Sequence, residues 1–209
     1  MKRDLFFALM FIMTVVSCSS SSRITSSWKE PSLVAVSYKK VLVIALSQAD
    51  NALKEQMEKH LIGDLESHGI QAISAYQQYG PKAFENMSEQ AALEKIKNTV
   101  VDAILIIVLL DKSKERDYIT GHISFTPYTA YYNQFWGYYS TLHAHVYLPD
   151  YYVTNTEYFW ESNLYDASSK RLVYSVQTKS FNPANSQALA HEYGLLIIHN
   201  MLKQGVIKA

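Results

Sequence analysis

The chain has 209 residues, 48% of them hydrophobic, and its 19 basic and 19 acidic residues give a formal charge of zero. That balance gives no electrostatic pull toward nucleic acid or anionic lipid. A single cysteine excludes a disulfide framework and a cysteine-built structural metal site.

In chain order, the first predicted element is a signal peptide over residues 1–17. Lys2 and Arg3 precede the twelve-residue run Leu5 to Val16, in which only Thr14 is polar. A bilayer-spanning helix needs about 20 apolar residues, so this run reads as a secretory signal. The next residues, Val15-Val16-Ser17-Cys18, resemble the lipobox of bacterial lipoproteins, which implies cleavage before Cys18 and acylation of its thiol. The alternative is an ordinary secretory signal with an incidental cysteine. By the same resemblance, Ser19 rather than Asp after the cysteine favours the outer membrane of a diderm bacterium, with the protein lipid-anchored and periplasm-facing. Loss of residues 1–17 removes Lys2, Arg3 and Asp4 and leaves a formal charge of −1. Two acyl chains suffice for stable anchoring, so no second membrane segment is needed.

Residues 18–37 are expected to be the lipidated cysteine and a Ser-rich tether. Four consecutive serines, Ser19 to Ser22, and further serines at 26, 27, 32 and 37 leave little apolar surface to bury. Extended, such a tether reaches on the order of 60 Å at about 3.3 Å per residue. Trp28 interrupts it and either docks on the domain, the preferred reading, or sits at the lipid interface.

Residues 38–209 are expected to form a single α/β (α+β) domain. Val41 to Leu46 is a continuous apolar run of strand length, suited to burial on both faces. From Asp50, Leu53, Met57, Leu61 and Leu65 recur every four residues, predicting an amphipathic helix that ends at Gly69. A second strand follows over 70–75, and a second helix over 88–98 with Ala91, Ala92, Leu93 and Ile96 inward. Ala103 to Leu110 is the most apolar stretch of the mature chain and is predicted at the sheet's centre. This β-α-β-α-β start predicts parallel pairing through crossovers. After residue 115 the rhythm changes to antiparallel strands over 118–125, 142–148, 152–165 and 172–181, with a hairpin loop at 166–170. A final helix from about 183 to 203 buries Leu189, Tyr193, Leu196, Ile197 and Met201. The sum is a mixed β-sheet with a C-terminal helix.

Residues 118–160 hold 15 of the chain's 27 aromatics. Adjacent pairs recur within them, and neighbours on a strand point to opposite faces, so one ring of each pair is expected to face away from the core. Tyr128, Tyr131, Tyr132, Phe135, Trp136, Tyr138, Tyr139, Tyr151 and Tyr152 are therefore a candidate binding surface, since exposed Tyr and Trp are favoured anchors. The alternative is a Tyr-rich loop that covers its own sheet. No Lys or Arg occurs from Asp117 to Ser169. Base stacking normally comes with a cationic groove, so nucleic acid is disfavoured, and another envelope protein or a glycan is the expected partner.

Catalytic signatures are lacking: there is no Gly-x-Ser-x-Gly elbow and no phosphate-cradling loop with lysine. His191-Glu192-Tyr193-Gly194-Leu195 begins like a zinc-protease helix but has Leu195 where the second histidine belongs. His143 and His145 share a strand face and could supply two metal ligands, although hydrogen-bonded packing is the commoner use of such a pair. No cofactor is expected, and the chain reads as a non-catalytic module.

Thr25-Ser26-Ser27-Trp28-Lys29, Lys40-Val41-Leu42-Val43-Ile44, Asn163-Leu164-Tyr165-Asp166 with Leu172-Val173-Tyr174-Ser175, and Ser180-Phe181-Asn182-Pro183 together resemble a family of uncharacterised bacterial lipoproteins. The element order is also similar to small periplasmic docking domains, such as the N-terminal domain of the Tol-Pal translocation protein and lipoprotein activators of peptidoglycan synthases. These resemblances imply an interaction or assembly part of the cell envelope. A glycan- or peptidoglycan-binding lipoprotein is the alternative.

Overall fold

The computed structural model describes residues 21–33, 37–47, 51–114 and 156–208. Among them, six strands form one mixed sheet, β1 (Ser22–Lys29), β2 (Lys40–Leu46), β3 (Gln71–Ser74), β4 (Ala103–Lys114), β5 (Thr156–Asp166) and β6 (Leu172–Phe181), in the order β1-β6-β5-β4-β2-β3. The helices are α1 (Asn51–Ser67), α2 (Ala75–Tyr79), α3 (Glu89–Lys97) and α4 (Ser186–Lys203). β2 pairs in parallel with β3 and β4, and the pairs β4–β5, β5–β6 and β1–β6 are antiparallel. The expected mixed sheet with a C-terminal helix is therefore present.

The continuous apolar runs explain the middle of the sheet, because side chains alternate between two cores. Val41, Val43 and Ala45 of β2, with Leu105 and Ile107 of β4, face α1 and α4. Leu42, Ile44, Ile104, Ile106 and Val108 face the other way, toward Ala75 of α2, Phe84, and Ala92 and Ile96 of α3. Because β3 and β4 lie on opposite sides of β2, right-handed crossovers require their two connections to pack on opposite faces, as they do. The four-residue period of α1 is buried as predicted, with Leu53, Met57, Leu61 and Leu65 all 3% exposed or less. Gly69, at φ +76°, supplies the left-handed turn that ends it.

The tether expected over residues 18–37 is corrected for Ser22–Lys29, which is the edge strand β1. An edge strand needs only one hydrogen-bonded neighbour and one half-covered face, so a polar sequence can form it. Its serines make bonds instead of burying apolar surface. Ser22 Oγ and Ser180 Oγ are 2.7 Å apart, and Ser26 Oγ donates to Gln177 Oε1 at 3.1 Å. Trp28 packs against the second core, so docking is the outcome for that ring.

Smaller differences follow from local packing. Ala91, expected inward, is exposed because the inward stripe of the short α3 is narrowed to Ala92 and Ile96. Leu196 is half-buried, and Ile198 takes the buried place instead. The helix α2 was not anticipated from five residues, although Ser74 caps it by accepting from Gln77 N at 2.9 Å. The strands expected over 118–125 and 142–148 lie outside the described residues.

The register fixes two ends of the sheet. Lys114 pairs with Thr156, Glu157 with Phe181 and Ser22 with Ser180, so the starts of β1 and β5 share one end with the finishes of β4 and β6. At the opposite end lie the starts of β2, β3 and β4 and the β5–β6 hairpin, where Ala103 pairs with Asp166 and Val41.

Candidate functional site

A cavity of about 1400 Å³ opens at the hairpin end of the sheet, between α3 and the ends of β4 and β5. Leu93 and Ile96 of α3 with Val101 and Ile104 form an apolar wall, while Lys39, Glu94, Lys97 and Lys170 bring charge of both signs. Two aspartates build its frame. Asp102 Oδ2 accepts from the N–H groups of Lys39 and Lys40 at 2.8 and 2.9 Å, tying the entry of β2 to that of β4. Asp166 Oδ1 accepts from Ser168 Oγ, Ser169 N and Ser169 Oγ, each at 2.7 Å. Burial works against its ionisation, but the bonds from Ser169 and Ser168 outweigh it and hold Asp166 below the usual carboxylate range.

Tyr38 also lines this cavity and is only 4% exposed. Its hydroxyl has no hydrogen-bond partner among the described residues. Burial first, then the negative charges of Asp166 and Asp102, pushes its pKa up to about 12. Tyr38 is therefore a neutral donor across the physiological range. A donor in an apolar wall beside fixed anions suits an uncharged polar or amphipathic group; neither Tyr38 nor Asp166 is poised to exchange a proton near neutrality.

In open α/β sheets the usual ligand position is the crevice at the carboxyl ends of the strands, where connections leave toward opposite faces. Here that position lies beside β2 and is filled by Glu58 of α1. Its Oε1 accepts from Ala45 N at 2.8 Å; Oε2 accepts from Tyr76 N at 2.8 Å and from the Ser74 hydroxyl. Burial raises the Glu58 pKa to about 7, against the lowering effect of those bonds and of Lys54. The carboxylate joins β2, β3 and α2, and the space left beside it is about 20 Å³, room for about one water.

The motif His191-Glu192-Tyr193-Gly194-Leu195 has structural uses on α4. The His191 ring meets that of His60 at 5.6 Å. Glu192 Oε2 accepts from Ser21 N at 2.9 Å and Ser21 Oγ at 2.8 Å, and Tyr193 bonds Ser162 and packs on Trp160. Gly194 leaves room for Asp64, whose Oδ2 would collide with a Cβ there. Among the described residues, no group of three or more His, Cys, Asp or Glu side chains is arranged to hold a metal.

No protein family matches the chain. No curated protein matches it either. Among solved structures, the chain is similar to a PelC dodecamer from Paraburkholderia phytofirmans, with a TM-score of 0.46 and 13% identity over 90% of this chain and 99% of that one. It is also similar to lipoprotein GNA1162 from Neisseria meningitidis, with a TM-score of 0.42 and 12% identity over 79% of this chain and 99% of that one. Likeness at that level identifies no ligand or partner.

Of the residues singled out from sequence, Cys18, Tyr128, Tyr131, Tyr132, Phe135, Trp136, Tyr138, Tyr139, Tyr151 and Tyr152, with His143 and His145, lie outside the described residues. Three aromatics of the rich stretch are described, and they belong to β5: Trp160 is 1% exposed in the first core, and Tyr158 stacks on it at 6.4 Å. Sequence reasoning missed Tyr38, Asp102, Asp166 and Glu58. Only Glu58 had a signal, an acid adjoining the buried face set by Leu53, Met57 and Leu61.

Proposed function

We propose that the chain is a lipid-anchored, non-catalytic interaction module of a bacterial cell envelope, periplasm-facing and held by acyl groups on Cys18. The observation that carries this reading is the match between the two boundaries. The lipobox resemblance ends at Cys18, and Ser21 is already bonded to Glu192, so the described fold reaches to within three residues of where the mature chain would begin. No helix among the described residues is long and apolar enough to cross a membrane, and an acyl anchor supplies the attachment without one. The partner is read as another envelope protein, because the cavity at the hairpin end offers apolar and hydrogen-bonding surface.

A glycan ligand is the second reading, on which the Tyr and Trp residues of the aromatic-rich stretch would stack sugar rings; the absence of Lys and Arg from Asp117 to Ser169 disfavours nucleic acid and leaves both readings open. Metabolic labelling with a fatty-acid analogue tests the anchor. The wild type takes up label and Cys18→Ala does not; equal labelling of both removes the reading. From the same solubilised membranes, a stoichiometric protein partner supports docking, and retention on peptidoglycan without one supports the glycan alternative.

A further inference from the structure

The register and the lipobox together bear on which way the domain faces. Cys18 and Ser21 are three residues apart, a reach of about 10 Å when extended. Ser21 is fixed to α4 through Glu192, and Ser22 is paired with Ser180, so little slack remains between an acylated Cys18 and the body of the domain. Acyl chains on Cys18 would hold that residue at the headgroup level. The nearest part of the fold is the end of the sheet shared by the start of β1, the start of β5, and the finishes of β4 and β6.

This end carries an exposed aromatic ring, whereas the opposite end carries the exposed but aliphatic Val100. Phe181, the last residue of β6, is 45% exposed, one of few large hydrophobic side chains so exposed among the described residues. Exposed Arg23 lies two register steps inward, on the neighbouring strand, opposite Lys179. An aromatic ring with a cation close by suits the boundary between headgroups and acyl chains. Both attachment points of residues 115–155, Lys114 and Thr156, are also on this end.

Resting on the lipid-anchor reading, we propose that this end of the sheet lies on the phospholipid surface, with Phe181 at the headgroup level. The hairpin end and its cavity then point away from the bilayer, held off by the length of β5, roughly 35 Å for eleven residues.

The acylated full-length protein tests this in vesicles of phosphatidylethanolamine and phosphatidylglycerol that contain a lipid with a nitroxide near its carboxyl end. Cys18 is the only cysteine, and its thiol is consumed by acylation, so one introduced cysteine takes a fluorophore selectively. Phe181→Cys and Arg23→Cys report on the proposed membrane end. Val100→Cys, at a residue 76% exposed just before β4, reports on the opposite end. Labels at 181 and 23 are expected to be quenched several-fold more than the label at 100, because contact quenching does not reach across the length of the sheet. Equal quenching at both ends, or stronger quenching at 100, in protein shown to be acylated overturns the orientation alone. Absence of acylation overturns the anchor and this orientation with it.

Discussion

Glu58, one of the buried carboxyls, gives the described residues their clearest dependence on pH. Burial raises its pKa from 4.5 to about 7, so the folded chain holds this proton more tightly than the unfolded chain does. Protonation of Glu58 therefore stabilises the fold. The contribution is complete below pH 4.5 and is lost as pH rises through 7. At about 1.4 kcal/mol per pKa unit, the loss is on the order of 3 kcal/mol as an upper figure. Glu58→Gln removes the titrating group. It also turns an amide nitrogen toward one of the donors Ala45 N, Tyr76 N or Ser74 Oγ, at a cost of about 1–2 kcal/mol. Urea unfolding at pH 5, 6 and 7.5 should show stability falling with pH in the wild type more steeply than in Glu58→Gln. The same slope in both proteins would mean that Glu58 titrates in its ordinary range when folded. At this scale the sequence was least informative. Tyr38, Asp102 and Asp166 come together only because the starts of β2 and β4 and the finish of β5 share one end of the sheet, and no local pattern carries that pairing.

At the scale of elements, legibility followed the number of neighbours an element has. Strands β2 and β4 are buried on both faces and spelled themselves as apolar runs, and α1 declared its one buried face by a four-residue period. β1 was misread because an edge strand is held by backbone bonds and serine hydroxyls, and its signal shrinks to Ile24, Thr25 and Trp28. The contact between α1 and α4 was half legible, since the apolar positions were predicted but Gly194 was not. In isolation Gly194→Ala would favour α4 by about 1 kcal/mol through helix propensity. Here the new Cβ collides with Asp64 Oδ2, and crowding of that kind costs about 1–3 kcal/mol. Gly194→Ala is thus expected to destabilise the wild type. In an Asp64→Ala background, with the obstacle gone, the same substitution should become neutral or stabilising. A double-mutant cycle by chemical denaturation reads the change of sign, and equal costs in both backgrounds would show that Asp64 is not what Gly194 accommodates.

For the whole molecule, the spacing between the proposed anchor and the fold would act as an orienting device. A tether of twenty residues would let the domain turn freely above the membrane, whereas an acylated Cys18 with only two residues between it and a hydrogen-bonded Ser21 would hold one end of the sheet down. Phe181 alone is a weak anchor, because fully burying such a side chain is worth about 1.5–3 kcal/mol and it is already partly covered. Spacing should therefore dominate the orientation, and the two contributions are separable. Inserting ten Gly and Ser residues between Ser20 and Ser21 gives a flexible linker with an r.m.s. span of roughly 20 Å. Acylation at Cys18 and the midpoint of thermal unfolding should be unchanged, since the insertion precedes Ser21, the first hydrogen-bonded residue of those described. The ratio of nitroxide quenching between labels at 181 and 100 should fall toward unity, because the domain can then present either end to the lipid. Were the ratio to persist at full size with the longer linker, the orienting force would reside in the affinity of that end for lipid, and the spacing argument would be wrong.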